Sequence, residues 1–171
     1  MIEHELLFLG LLMEGPKHGY EIKRQIEEEL VPFLGLKIKS IYYPLRKMEK
    51  LGLVVKDAGR EGNFPERFTY TITDKGKKIF DHLLTENFFS IERPYFNIDL
   101  SLFFLPYVDK KIAQRRLRAR VIFLRRIKRD LEGISKNPKG IAKHLQIILE
   151  HDLDLVSAEI KSIAKLIQTL Q

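Results

Sequence analysis

Lys37-Ile38-Lys39-Ser40-Ile41-Tyr42-Tyr43-Pro44-Leu45-Arg46-Lys47-Met48-Glu49-Lys50-Leu51-Gly52 is the stretch whose reading decides the fold. It reads as a helix that begins at Ser40 and stops at Gly52. The Ser40 hydroxyl suits an N-cap, where it accepts from an orphan N–H of the first turn. Pro44 falls early enough that its missing N–H costs little, and Gly52 suits the left-handed residue that closes a helix. Ile41, Leu45, Met48 and Leu51 recur at spacings of three and four, one apolar stripe. Lys39, Tyr42, Tyr43, Arg46, Lys47 and Lys50 are left for the other faces. Such an outer face, cationic and aromatic, suits the DNA major groove. Taken alone, a surface helix with lysines for solubility is the simpler reading. The neighbours of this helix reverse that preference.

Upstream, Leu6, Leu7, Leu9, Leu11, Leu12 and Met13 form an apolar run that ends at Glu14-Gly15-Pro16, a helix-stop signal. This predicts a largely buried first helix. A second helix is expected from about Lys17 to Leu30. Its outer face ends in Glu27-Glu28-Glu29, which would repel phosphate and should point away from a duplex. Val31-Pro32-Phe33-Leu34-Gly35 reads as a turn before the key helix.

Downstream of Gly52 the period changes. Leu53-Val54-Val55-Lys56 reads as a short strand, and Asp57 to Glu66 as a hairpin loop with Gly59, Gly62, Asn63 and Pro65. Arg67-Phe68-Thr69-Tyr70-Thr71-Ile72 alternates, with Phe68, Tyr70 and Ile72 on one face. Thr73 is a candidate N-cap for a further helix at Asp74-Lys75-Gly76. The order helix, helix, helix, strand, loop, strand, helix is that of a winged helix-turn-helix. In that architecture the third helix enters the major groove and the hairpin tip reaches backbone or minor groove.

Three motifs now resemble one family. Gly15-Pro16-Lys17-His18-Gly19-Tyr20-Glu21-Ile22, the stretch from Ser40 to Val54, and Tyr70-Thr71-Ile72-Thr73-Asp74-Lys75-Gly76 are similar, in order and spacing, to signatures of the PadR family of prokaryotic transcriptional regulators. The resemblance covers residues 6–84. Tyr43-Pro44 departs from it: the proline stands one residue later than the family's Tyr-Pro, with a second tyrosine in its usual place. The resemblance implies a homodimeric DNA-binding repressor whose effector, a small aromatic or cationic compound, loosens the complex.

The candidate DNA-binding residues are Tyr20, Lys39, Ser40, Tyr42, Tyr43, Arg46, Lys47 and Lys50, with Arg60, Asn63 and Arg67 in the wing. Arg46 suits either a bidentate guanine contact or a phosphate. Tyr42 serves either DNA contact or packing between helices, and Tyr43 is expected to be exposed. His18 reads as a helix-start histidine bonded within the fold, and the wing residues read equally as a solvated loop.

The remaining chain is helical by pattern. Phe88 to Phe96 is too apolar for a free linker and is expected to pack, and Asp99 to Pro106 reads as a short buried helix. A long helix is expected from Asp109 to Ser135, a break at 136–140, and a second long helix from Ile141 towards Leu170. These two form an antiparallel hairpin. Leu117, Val121, Leu124, Leu131, Leu145, Ile148, Leu155 and Ile163 are candidate dimerisation residues, since the hairpin has little to cover it except the first domain or a second copy. A two-fold dimer would read an inverted repeat with half-sites about one helical turn apart. The predicted fold is mainly α with a small β-hairpin wing. A winged-helix domain is expected over 1–86 and a helical dimerisation domain over 87–171.

Composition narrows the function classes. The net charge is +7, but residues 1–84 carry 14 Lys and Arg against 13 acids, while 85–171 carry 16 against 10. Local charge therefore argues better than the total: from Lys37 to Arg60 there are seven cations and two acids. The ten cations between Lys110 and Arg129 read as a solvated face, as flanking contact with DNA backbone, or as a membrane-surface face. With no cysteine there is no thiolate metal site or disulfide framework. His144, His151 and the nearby acids read as a polar helix face, so no metal or other cofactor is expected. No catalytic motif appears, which argues against an enzyme. No apolar run reaches the length of a membrane span, and a cytoplasmic protein is expected. The chain lacks tryptophan, so an effector site of stacked indoles cannot be carried over. Phe88, Phe89, Tyr95, Phe96, Phe103 and Phe104 are the aromatic material at hand, with core packing the expected fate of most. Rival readings are a nonspecific architectural DNA binder and a winged-helix module that meets protein.

Overall fold

The structure is a computed structural model that describes residues 2–35, 38–59, 67–91, 96–136 and 141–170. It divides into two compact units, Met1–Glu92 and Arg93–Gln171.

In the first unit, α1 (Ile2–Met13) is apolar almost all round, so it serves as the buried centre, with Phe8, Leu9 and Leu12 fully enclosed. A two-residue strand, β1 (Lys17–His18), precedes α2 (Gly19–Gln25); the sequence pattern places a helix there instead. The chain continues through a π-helical turn, Ile26–Leu30, into α3 (Val31–Leu34). Residues 31–35 are thus helical rather than a turn up to Leu34. Pro32 sits in the first turn of α3, where its missing N–H is harmless, and the reversal falls on Gly35 alone, at φ +58°.

Next come α4 (Tyr42–Lys50), β2 (Val54–Gly59), β3 (Arg67–Ile72) and α5 (Asp74–Phe89). The strands pair antiparallel in the order β1-β3-β2, with Lys17 opposite Tyr70 and Val54 opposite Ile72. Tyr70 turns inward, and Phe68 and Ile72 lean on the same core, as the alternation predicts. Thr73 caps α5: its hydroxyl oxygen accepts from Gly76 N at 3.0 Å. A Cβ at Gly76 would overlap the Leu53 carbonyl oxygen, so only glycine lets α5 start this close to the strand. The expected boundary at 86/87 falls inside α5, which runs on to Phe89 because no breaker interrupts it.

The second unit holds α6 (Asn97–Phe103), a 3₁₀ turn at Leu105–Tyr107, α7 (Lys110–Ser135) and α8 (Lys143–Thr169). The long helices pair antiparallel: Gln114 Nε2 donates to Leu170 O at 2.6 Å, and Arg120 reaches Glu159. Leu117, Val121, Leu124 and Ile163 form the core between them. α6 is not the buried helix expected from its composition. No residue in it is buried, and only Ile98 and Leu102 lean on the hairpin core.

Candidate nucleic-acid interface

One face of α4 is fixed to the core and the other is free. Ile41, Leu45 and Met48 are buried, while Tyr42, Tyr43, Arg46, Glu49 and Lys50 are exposed. Tyr43 is the most open of the tyrosines in this helix, at 75%. The helix begins later than predicted. Ile41, not Ser40, holds the N-cap position, with no side-chain cap bond, and Ser40 lies exposed before it. Burial of Ile41 outweighs the single hydrogen bond that a Ser40 cap would add. Leu51 is exposed and leaves the apolar stripe, because the helix has ended there.

The far end of α4 is anchored by its neighbours. Gly52 takes φ +68°, and Leu53 N donates to Met48 O at 2.9 Å. The Thr73 hydroxyl donates to Gly52 O at 2.8 Å, and Lys75 Nζ donates to Leu51 O at 2.8 Å. The start of α5 therefore holds the carbonyl end of α4, a role for Lys75 that no local pattern announces.

Lys47 leaves the outward set. Its ammonium is 2.5 Å from Glu5 Oε1 of α1, and that carboxylate holds the Lys47 pKa above the ordinary lysine value. Lys39 is exposed beside Ser40. Both line a cleft of about 360 Å³ with Lys23, Ile26, Glu27 and Tyr42. Glu27, paired with Lys23 at 3.7 Å, thus borders the start of α4, and the expectation that the acidic run points away from it does not hold for this residue. The π-helical turn that carries Glu27 is the local reason, since it departs from the expected α-helical phase.

Around α4 the tyrosines are ordered by the small residue beside them. A Cβ at Gly19 would lie 3.5 Å from Tyr42 Cε1, so the Tyr42 ring leans over the start of α2 while remaining 62% exposed. It both packs and faces outward. Tyr20 stacks on His18, with ring centroids 5.7 Å apart. His18 N donates to Glu21 Oε2 at 2.6 Å, and its Nδ1 lies 3.2 Å from Thr69 Oγ1. His18 is thereby tied into the fold. Burial pushes the Tyr70 phenol up, with Glu49 and Tyr42 adding and Arg46 opposing. Tyr70 therefore stays protonated beneath the α4 face.

Of the wing candidates, Arg60 and Asn63 lie outside the described residues, as does the Arg67 side chain; the Arg67 backbone pairs with Gly59. Lys56, absent from the predicted set, sits 3.5 Å over the Phe68 ring at the base of the wing. Its signal is the cross-strand register, which only a known loop length would give.

Within the second unit, Leu117, Val121, Leu124 and Ile163 are buried between α7 and α8 of one chain. Leu131, Leu145 and Ile148 are half-buried and Leu155 is exposed. The aromatic residues expected to pack are largely open: Phe88, Phe89 and Phe103 are each nearly four-fifths exposed, Phe96 and Phe104 less so, and Phe104 meets its neighbours Phe103 and Tyr107, with ring centroids 5.1 and 6.4 Å away. Tyr95 lies outside the described residues. Helical continuation of α5 carries Phe88 and Phe89 past the end of the first core. Among the described residues no helix is long and apolar enough to cross a membrane.

A helix-turn-helix, a helix with one free cationic and aromatic face, and an adjoining hairpin define a winged-helix fold, an architecture that suits nucleic-acid binding. Residues 8–82, within the N-terminal unit, match the PadR-like family of transcriptional regulators. A curated relative, the negative transcriptional regulator PadR of Bacillus subtilis (strain 168), is 37% identical over 70 residues, 41% of this chain. That match spans 38% of the relative's length. The fold extends further. The crystal structure of Bacillus subtilis PadR in complex with operator DNA matches with TM-score 0.71 at 21% identity, covering 98% of both chains. The same protein with p-coumaric acid gives 0.70 at 19%, covering 97% of both. The Vibrio cholerae virulence activator AphA gives 0.74 at 18% identity, over 98% of this chain and 97% of that one. The matched family is one of transcriptional regulators.

Proposed function

We propose that this protein is a DNA-binding transcriptional regulator that represses by occupying an inverted-repeat operator as a homodimer. The observation that carries the reading is α4: its apolar face is locked by Ile41, Leu45 and Met48, while Tyr42, Tyr43, Arg46 and Lys50 stand free on the opposite side. A rigid helix with a polar free face is what major-groove readout needs. Repression is favoured because the matched curated relative is a negative regulator. The structural neighbour bound to operator DNA supports the DNA partner, and the one bound to p-coumaric acid supports a small-molecule effector. Exposed Phe88 and Phe89 in the first unit, and Phe103 and Phe104 in the second, are each apolar surface that a second copy or such an effector would cover.

The test is footprinting of the DNA upstream of its own coding sequence across a salt series, at known oligomeric state. Protection of an inverted repeat at physiological salt is the expected result. Uniform, steeply salt-sensitive coating would replace the reading with a nonspecific architectural binder. Absence of protection there and on a genomic fragment library would leave a module that meets protein.

A further inference from the structure

α7 has three faces. At about 100° per residue, Ala113, Leu117, Val121 and Leu124 fall together on the buried side. Ile112, Phe123 and Ile127 lie in a second, exposed sector, together with Arg116 and Asp130. A third sector, about 100° wide by the same geometry, holds Lys111, Arg115, Arg118, Arg125, Arg126 and Arg129. Ile122 lies among them, and no acidic residue does. All six cations are exposed, and among the described residues none has an ion-pair partner.

We propose that this stripe is a second phosphate-binding surface, which takes the backbone of double-stranded DNA without regard to sequence. It rests on the DNA-binding reading only for the identity of the polyanion. Three observations carry it. First, the stripe works against the helix that bears it. Lys111–Arg115, Arg115–Arg118, Arg125–Arg129 and Arg126–Arg129 are like-charge pairs at three- or four-residue spacing, which repel. The fold gains nothing from them, since the hairpin is held by its own core and by Arg120–Glu159. Second, the cations are nearly all arginine: α7 holds seven of the chain's 12 arginines. Lysine would serve solubility equally, whereas the guanidinium fork matches phosphate oxygens two at a time. Third, Lys111 to Arg129 spans about 27 Å of helix, long enough to reach phosphates on both sides of a major groove about 12 Å wide. A membrane surface would need a continuous apolar face beside the cations, and the neighbouring sector of Ile112, Phe123 and Ile127 also holds Arg116 and Asp130.

The test compares the full-length protein with two variants on a random-sequence duplex of about 40 base pairs, across a salt series. The stripe variant is Arg118→Gln/Arg125→Gln/Arg129→Gln, and the recognition-helix variant is Tyr42→Ala/Arg46→Ala. The stripe variant should bind the random duplex about tenfold more weakly at low salt, and its logarithmic salt slope should fall by about 0.9 for each phosphate it no longer neutralises. The recognition-helix variant should keep most of this binding. Unchanged affinity and slope in the stripe variant would overturn the proposal. So would loss of binding to phosphatidylserine vesicles with DNA binding intact, which would make the surface a membrane face. Circular dichroism checks folding. If the triple variant loses helix content, single Arg118→Gln and Arg125→Gln variants carry the test, each expected to lower the slope by about 0.9. Operator preference retained by the recognition-helix variant would sink the winged-helix reading and leave the stripe to be judged on its own variants.

Discussion

Lys47 and Glu5 join the candidate recognition helix to the central helix of the first unit, with the lysine ammonium 2.5 Å from the carboxylate. A cation that looks like a DNA ligand in the sequence is thereby committed to the fold. Lys47→Ala should leave the salt slope of DNA binding unchanged, whereas Arg46→Ala should lower it by about 0.9 if Arg46 meets a phosphate. The pair also fixes a pH dependence. Because Glu5 raises the Lys47 pKa, its contribution to stability is complete below the ordinary lysine value and is lost as pH rises through the higher, folded one. Thermal unfolding between about pH 8 and 11 should show Glu5→Gln losing this alkaline-sensitive component. Equal alkaline loss in both proteins would dissociate the pair from stability.

Thr73 serves two elements at once, capping α5 through Gly76 N and holding the end of α4 through Gly52 O. Thr73→Ala should cost about 1–2 kcal/mol, an N-cap together with a backbone contact, and Thr73→Ser should restore most of it. Gly76→Ala should cost more, about 2–4 kcal/mol or failure to fold, because its new methyl meets the Leu53 carbonyl, which cannot withdraw. Denaturant midpoints check both.

The recognition face makes a directional prediction. Arg46→Ala should weaken operator binding about 10- to 100-fold, the loss of one guanine or phosphate interaction of about 1–3 kcal/mol. Tyr43→Ala should change base preference more than stability, since the ring touches little of its own fold at 75% exposure. Tyr42→Ala should do both, because that ring leans on Gly19. Titration of the variants against a panel of single-base operator changes separates these outcomes. Uniform weakening across the panel for Tyr43→Ala would make it a backbone contact.

The elements legible in the sequence are those whose signals are local and redundant. The period of α4, the stop at Gly52, the alternation of β3 and the Thr73 cap each rest on two or more adjacent cues. What the sequence hides depends on partners far along the chain. The Lys47–Glu5 pair spans 42 residues and Lys75 reaches Leu51 across 24; neither spacing has a local signature. β1 is two residues long and exists only because β3 lies beside it. The start of α4 misleads for a different reason. Ser40 carries a strong capping preference, worth about 1 kcal/mol, and enclosing Ile41 is worth more. The aromatic run beyond α5 misleads because composition reports how apolar a segment is, and not whether its own chain covers it.

Val121 and Phe123 separate the fold of the hairpin from its association. Val121 is buried between α7 and α8, and Phe123, two residues on, is 66% exposed on the opposite side of the helix. Placing a charge at Val121 desolvates it inside the hairpin core, so Val121→Asp should unfold the second unit, at a cost of about 3–5 kcal/mol. Phe123→Asp disturbs no core of its own chain and should leave the helix content intact. If the exposed sector of Ile112, Phe123 and Ile127 is what a second copy covers, Phe123→Asp should nevertheless shift the protein from dimer to monomer in sedimentation. Operator affinity should fall with it, because each half-site would then be bound without its partner. A dimer that survives Phe123→Asp would move the interface away from this sector, to the half-buried Leu131, Leu145 and Ile148 or the open Leu155. A monomer that still binds the operator at full affinity would remove the two-fold symmetry on which the inverted repeat depends.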